Sequence, residues 1–206
     1  MSRRVMKRSQ LNLSEDEQFE NVAKAGQLMP GLELDIFDED FNRLPHDGET
    51  VGEILIRGPW ICSEYFNNPQ PDKFHDGWLI TGDVGKIDPE EYLIIADRSK
   101  DLVKSGGEWI SSIEIENCAT GHPQVAEAAV IGRNHPKWGE RPLLIIVKSG
   151  EDDVAPDELK GYLDGKIAKW WMPDDVQFID EMPHTATGKI QKMKLREMFG
   201  DYQFPA

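Results

Sequence analysis

Residues 31–40, GLELDIFDED, alternate apolar and polar side chains, and residues 51–58, VGEILIRG, do so again. A two-residue period sends successive side chains to opposite faces, so both segments read as half-buried β-strands. Between them LPHDGE carries the Asp-Gly turn signature, and NNPQPD at 67–72 breaks the chain again. GWLITGDVGKIDPEEYLIIADR at 77–98 then adds a strand-like WLI, a TGD turn, a DPEE turn and an apolar YLII run. Short strands joined by tight turns predict a small β-barrel-like subdomain.

From residue 99 the rhythm changes. SSIEIENCATGHP predicts a helix stopped by Gly121 and Pro123, and VAEAAVIG and RPLLIIVKSG are apolar runs bounded by breakers, hence strands. APDELKGYLDGKIAKWW starts with Pro156 and acidic residues, a helix start. DVQFIDEM reads as a strand and KMKLREMFG as a closing helix. The chain is therefore expected to be α+β, a β-barrel-like subdomain followed by an α+β C-terminal domain with a central sheet and flanking helices. Three parts are expected: a polar N-terminal segment (1–20), the β subdomain (21–97) and the C-terminal domain (98–206), with the boundary in DRSKD. Ser14 and Glu17 have capping-box spacing, which predicts a short helix near the start.

Composition narrows the function. The net charge of −15 disfavours nucleic acid as a partner. Its acidic residues, including DIFDED and EDD, read as solvated surface. No apolar run is long enough for a membrane span, and the basic start MSRRVMKRSQ lacks the apolar stretch of a secretory signal. Cys62 and Cys118 stand alone, without metal-ligand spacing, so no metal site is expected and a reducing, cytoplasmic setting is.

Three glycine-bearing motifs carry the chemistry. TGD at 81–83 presents a carboxylate able to accept hydrogen bonds from paired sugar hydroxyls, and Gly and Asp are also simply good turn residues. DRSKDLVKSGGEWISS at 97–112 places Arg98, Lys100 and Lys104 ahead of Gly106 and Gly107, where a backbone can turn sharply or approach a ligand. Alone it reads first as a β-hairpin with exposed charges. PHTATGKI sets Lys189 behind Gly188 in a loop of small and hydroxyl residues, but Ile190 follows the lysine, so this is not a P-loop.

In order, GEILIRGP (52–59), GWLITGD (77–83), DRSKDLVKSGGEWISSIEIEN (97–117), HPKWGERP (135–142) and PHTATGKIQK (183–192) resemble the adenylate-forming, AMP-binding acyl-CoA synthetases, in particular the medium-chain fatty acid–CoA ligases. The resemblance runs from about residue 20 to the end and covers the last third of such enzymes. The family's Ser/Thr/Gly-rich phosphate loop and its aromatic-Gly-x-Thr-Glu motif are not in this sequence.

The resemblance implies a two-step reaction. A carboxylate attacks the α-phosphorus of ATP, releasing pyrophosphate, and the thiol of coenzyme A then displaces AMP. It also implies that Asp83 and Arg98 hold the ribose of ATP or AMP, and that Lys189 acts in adenylation. Lys100 would be the hinge, Gly106, Gly107 and Trp109 would line the coenzyme A channel, and Lys104 would contact substrate. Trp138 and Glu140 read as structural. Mg2+ would accompany ATP, held by groups outside this chain. The implied partners are fatty acid, ATP, coenzyme A and the N-terminal domain of such an enzyme. The alternative is a non-catalytic interaction module or complementing subunit.

Overall fold

The computed structural model describes residues 12–150 and 154–205, and the backbone of Ser2–Arg3. The rest of the basic start and the EDD cluster at 151–153 lie outside the described residues. The described chain forms two compact units, residues 1–99 and residues 100–206.

In the first unit, β1 (Ser2–Arg3), β2 (Gly26–Leu28), β3 (Glu33–Phe37), β4 (Gly52–Arg57), β5 (Phe74–His75), β6 (Trp78–Ile87) and β7 (Tyr92–Arg98) make one sheet. Its order is β1-β2-β7-β6-β4-β3, with β5 on β6, and every pairing is antiparallel. The period-two segments become β3 and β4, which pair from Glu33↔Arg57 to Phe37↔Glu53. Ile36, Ile54 and Ile87 pack into one small core, and Phe37, Leu55 and Trp78 into another. Helix α1 (Glu15–Ala23) starts at the expected capping box: the Glu17 amide donates to Ser14 Oγ, and the Ser14 amide donates to Glu17 Oε2 at 2.8 Å.

TGD does not form a turn. Thr81, Gly82 and Asp83 lie inside β6, which runs unbroken from Trp78 to Ile87. The ladder to β4 jumps there, from Leu55↔Ile80 to Glu53↔Val84. Gly82, at φ +76°, lets the strand step outward while pairing continues on both sides. The Thr81 hydroxyl donates to the Ile54 carbonyl at 2.7 Å and accepts the Asp83 amide at 3.1 Å, which pins the bulge. The sequence pattern of a turn and that of a glycine bulge are alike, because both need Gly beside a short polar residue.

The second unit has a mixed sheet of β8 (Val103–Ser105), β9 (Glu108–Ile110), β10 (Val125–His135), β11 (Gly139–Lys148) and β12 (Asp175–Phe178). β10 and β11 pair antiparallel, and β12 runs parallel to β11. Helices α2 (Ser112–Thr120), α3 (Pro156–Leu163) and α4 (Lys192–Met198) complete it. Alternation along β10 and β11 feeds both faces. Ala128, Val130, Leu144 and Ile146 join α2 and α3 residues in one cluster, while Ala129, Ile131, Leu143 and Ile145 join Met182 and Leu195 in another. A sheet covered on both faces produces the continuous apolar runs seen in the sequence. α3 stops at Leu163, because Gly165 (φ +75°) turns the chain, and only a 3-10 turn at Lys169–Trp171 follows.

Candidate functional site

In the first unit, Asp83 on β6 and Arg98 on β7 are directly paired across the ladder. The bulge at Gly82 projects the carboxylate, and Arg98 Nε lies 4.0 Å from Asp83 Oδ1 with both side chains half-exposed. At that distance in water the pair contributes little to stability. What it offers is a carboxylate acceptor beside a guanidinium fork, groups that can embrace a vicinal diol or an anion next to one. The neighbouring backbone is fixed: the Arg98 amide donates to Asp97 Oδ1 at 2.7 Å, and Asp97 is buried.

In the second unit, Gly106 and Gly107 form a two-residue hairpin turn between β8 and β9, with φ of +60° and +90°. Two consecutive positive φ values define the turn type that matches strand twist and demands glycine. The Gly106 amide donates to the Trp138 carbonyl at 2.8 Å, and a Cβ on Gly106 would come within 3.0 Å of the indole. Gly107 has open space instead. Lys104 and Trp109 face each other across the hairpin, the ammonium 4.9 Å from the ring centroid. A hollow of about 390 Å³ opens beside the hairpin, with Gly106, Glu108, Trp138 and Trp170 in its lining.

Trp138 and Glu140 also support this hairpin. Glu140 Oε2 accepts the Lys104 amide at 3.2 Å and packs where a side chain on Gly132 would stand. Arg141 is the hub: it donates to Asp174 Oδ1 (2.7 Å), Ser105 Oγ (3.2 Å) and the carbonyls of Trp170 (2.9 Å) and Met172 (2.8 Å).

Lys189 stands on a closed loop. The Thr185 amide donates to the Lys189 carbonyl at 2.8 Å, the Gly188 amide to the Thr185 carbonyl at 2.9 Å, and the Lys189 amide to Thr185 Oγ1 at 3.1 Å. At the base, His184 Nε2 meets Glu127 Oε2 at 2.7 Å, and the Gln191 amide donates to the Pro183 carbonyl at 2.8 Å. Among the described residues the exposed Lys189 ammonium has no hydrogen-bond or ion-pair partner. It is presented to solvent. Lys100 is likewise exposed. No cluster of three or more His, Cys, Asp or Glu side chains able to hold a metal forms among the described residues, and no helix there is long and apolar enough to cross a membrane.

Comparison with known proteins finds relatives of this arrangement. Residues 114–189 match the AMP-binding enzyme C-terminal domain. A 3-methylmercaptopropionyl-CoA ligase of Ruegeria lacuscaerulensis is 52% identical over 186 residues, covering 90% of this chain and 34% of the relative. A medium-chain-fatty-acid–CoA ligase of Ectopseudomonas oleovorans is 44% identical, covering 93% of this chain and 35% of the relative. Among solved structures, ATP-bound MatB from Rhodopseudomonas palustris superposes with a TM-score of 0.77 at 36% identity, over 87% of this chain and 36% of that one. Over most of its length the chain is homologous to the C-terminal part of acyl-CoA ligases. It spans about a third of the length of the curated relatives it matches.

Motif reading missed two anchors. Lys192 Nζ lies 2.6 Å from both Glu116 Oε1 and Ser112 Oγ, in a pocket where Ser112 is fully buried. Glu116 Oε1 also accepts the Val130 amide at 2.7 Å. This pair ties α4, directly after the Lys189 loop, to α2, directly after the hairpin. The second is Arg196, whose guanidinium reaches Asp101 Oδ1 at 2.9 Å. KMKLR puts two cations four residues apart on one helix face, which marks that face but not the distant acids it meets.

Proposed function

We propose that this chain is the C-terminal portion of an ATP-dependent carboxylic acid–CoA ligase acting on a fatty acid, of medium chain length by its closest motif pattern. In this reading residues 21–97 are the terminal β subdomain of a large AMP-binding domain, and residues 98–206 are the small C-terminal domain. ATP, the acid and coenzyme A are its substrates, in a reducing cytoplasm. It works with a region corresponding to the preceding two-thirds of its relatives, which carries the acyl pocket, the phosphate loop and the ligands of the Mg2+ that accompanies ATP.

The observation that carries the reading is the direct cross-strand pairing of Asp83 with Arg98. A ribose supplies two neighbouring hydroxyls as donors. Asp83 accepts from them, and the Arg98 fork holds the oxygens beside them. The bulge fixes the carboxylate in advance, so binding needs no rearrangement of β6.

In the first step the acid's carboxylate oxygen bonds to the α-phosphorus and the bond to pyrophosphate breaks. Negative charge is shared by oxygens around that phosphorus in the transition state. Lys189, presented on a closed loop, stabilises that charge once water is excluded. In the second step the coenzyme A thiol loses its proton, sulfur bonds to the acyl carbon, and AMP leaves. Gly106, Gly107 and Trp109 line the thiol's channel: a bare backbone at the turn leaves width, and an indole gives an apolar wall. Lys104, stacked on Trp109, stands at the substrate edge. Lys100 is the hinge that lets the second unit serve both steps in turn.

The test separates the half-reactions in a full-length ligase carrying this segment. Lys189→Ala is expected to slow acid-dependent pyrophosphate exchange by about 100-fold or more, while thioester formation from supplied acyl-adenylate continues. Exchange at a near-normal rate would remove Lys189 from the mechanism. The isolated chain is expected to show no octanoate-dependent AMP release, and release at a measurable rate would overturn its dependence on the preceding region.

A further inference from the structure

The two units divide between consecutive residues, Ser99 and Lys100. On each side of that division the backbone is held by its own unit. In the first, the Ser99 amide donates to the Gly82 carbonyl at 3.0 Å, and the Ser99 hydroxyl donates to Glu53 Oε1 at 2.9 Å. Ser99 is thereby fixed to the same bulge that projects Asp83. In the second, Arg196 Nη2 on α4 donates to the Lys100 carbonyl at 2.8 Å and to Asp101 Oδ1 at 2.9 Å. Asp101 is buried, and an ionised acceptor strengthens the bond.

These two holds leave little backbone between them. The peptide joining Ser99 to Lys100 is planar. The soft torsions that remain are the ψ of Ser99 and the φ and ψ of Lys100, whose side chain is exposed.

We propose that Arg196 is a positioning residue: by holding the Lys100 carbonyl it ends the swivel there, while Ser99 ends it on the other side, so movement between the units is confined to the torsions around Lys100. The proposal rests on the reading of Lys100 as the hinge. It adds a mechanical consequence. Arg196 sits on α4, α4 is docked on α2 through Lys192, and the Lys189 loop closes immediately before α4. The chain from Lys189 to the swivel is therefore one stiff arm. Rotation at Lys100 reaches Lys189 without being absorbed by a flexible segment.

Limited trypsin digestion of this chain tests the proposal, because trypsin cuts after Lys100 only if the carbonyl held by Arg196 comes free and the neighbouring backbone extends. Wild-type protein is expected to be cut slowly at Lys100–Asp101. Arg196→Gln is expected to speed cleavage there about tenfold, as local opening becomes easier, with cleavage at the other tryptic sites held near wild type. Asp101→Asn should give a smaller rise, because the carbonyl bond survives, and Arg196→Lys should restore part of the protection. Ser99→Ala should speed cleavage after Arg98 instead. Unchanged cleavage after Lys100 in Arg196→Gln overturns the proposal. So does an equal rise at every site, which would make Arg196 a general stabiliser. No nucleotide, acid or thiol takes part, so loss of the Lys189 role would show in pyrophosphate exchange and leave this pattern intact.

Discussion

The first unit is a sheet with small, separate apolar clusters, and the second is a sheet buried on both faces. Ile36, Ile54 and Ile87 make up one cluster of the first, whereas thirteen buried residues share the main cluster of the second. Charges follow the same division. In the first unit, Lys24 and Asp88 pair at 2.7 Å with the lysine about a quarter exposed. In the second, Lys192 and Glu116 pair at 2.6 Å with both side chains largely buried. The second unit has the larger buried core, and the first has smaller apolar clusters. In the proposed mechanism that suits a small domain that moves as a body.

Core truncation should separate the units most sharply. Ile145→Ala, at a fully buried site in β11, is expected to cost about 4 kcal/mol, against about 2 kcal/mol for Leu55→Ala in β4. Urea unfolding of each variant checks this, and equal losses would end the distinction between thick and thin cores. Lys192→Met tests the buried charge. It removes the ammonium 2.6 Å from Glu116 Oε1 in a largely buried setting and is expected to cost about 3 kcal/mol. A loss no larger than that of Lys24→Met would mean the two charge settings do not differ.

A smaller effect is expected at the hairpin turn. Gly106→Ala should cost about 2 kcal/mol, because positive φ strains alanine and the new methyl meets Trp138. Gly107→Ala has strain alone and should cost about 1 kcal/mol. Thermal unfolding of the two variants ranks them.

The smallest effect belongs to the first unit and depends on pH. His46 Nε2 lies 3.0 Å from Asp35 Oδ1, and Nδ1 lies 3.1 Å from Glu91 Oε2. Burial opposes the charged ring, but the hydrogen bonds to Asp35 and Glu91 outweigh it and raise the His46 pKa above its ordinary 6.5. Arg43, 3.4 Å from Asp35, shares that carboxylate. A raised folded-state value means the stabilisation is complete below the unfolded value and is lost as pH rises through the folded one. The stability difference between wild type and His46→Gln should therefore shrink from slightly acid to slightly alkaline pH. A difference that grows with pH would reverse the assignment.

Most of the architecture was legible because it rests on local periods. Alternation placed β3 and β4, the capping box placed α1, and continuous apolar runs placed β10 and β11. TGD was misread as a turn, since a bulge inside a ten-residue strand depends on what pairs on either side. Of the candidate residues, Asp83, Arg98 and Lys189 stood in visible motifs; the structure pairs the first two in the first unit and presents the third in the second. Arg196 and Lys192 were not singled out, because their partners, Asp101 and Glu116, are remote in sequence and no local pattern reports a contact across that span.

The closed loop beneath Lys189 has a thermodynamic consequence. Its turns are already made by Thr185, Gly188 and Gln191, with His184 fastened to Glu127. A loop disordered before use would lose conformational entropy of about 1–2 kcal/mol per residue each time it docked. In the proposed mechanism most of that ordering is met once, when the second unit folds, and only the lysine's own rotamers would remain to be frozen in each cycle.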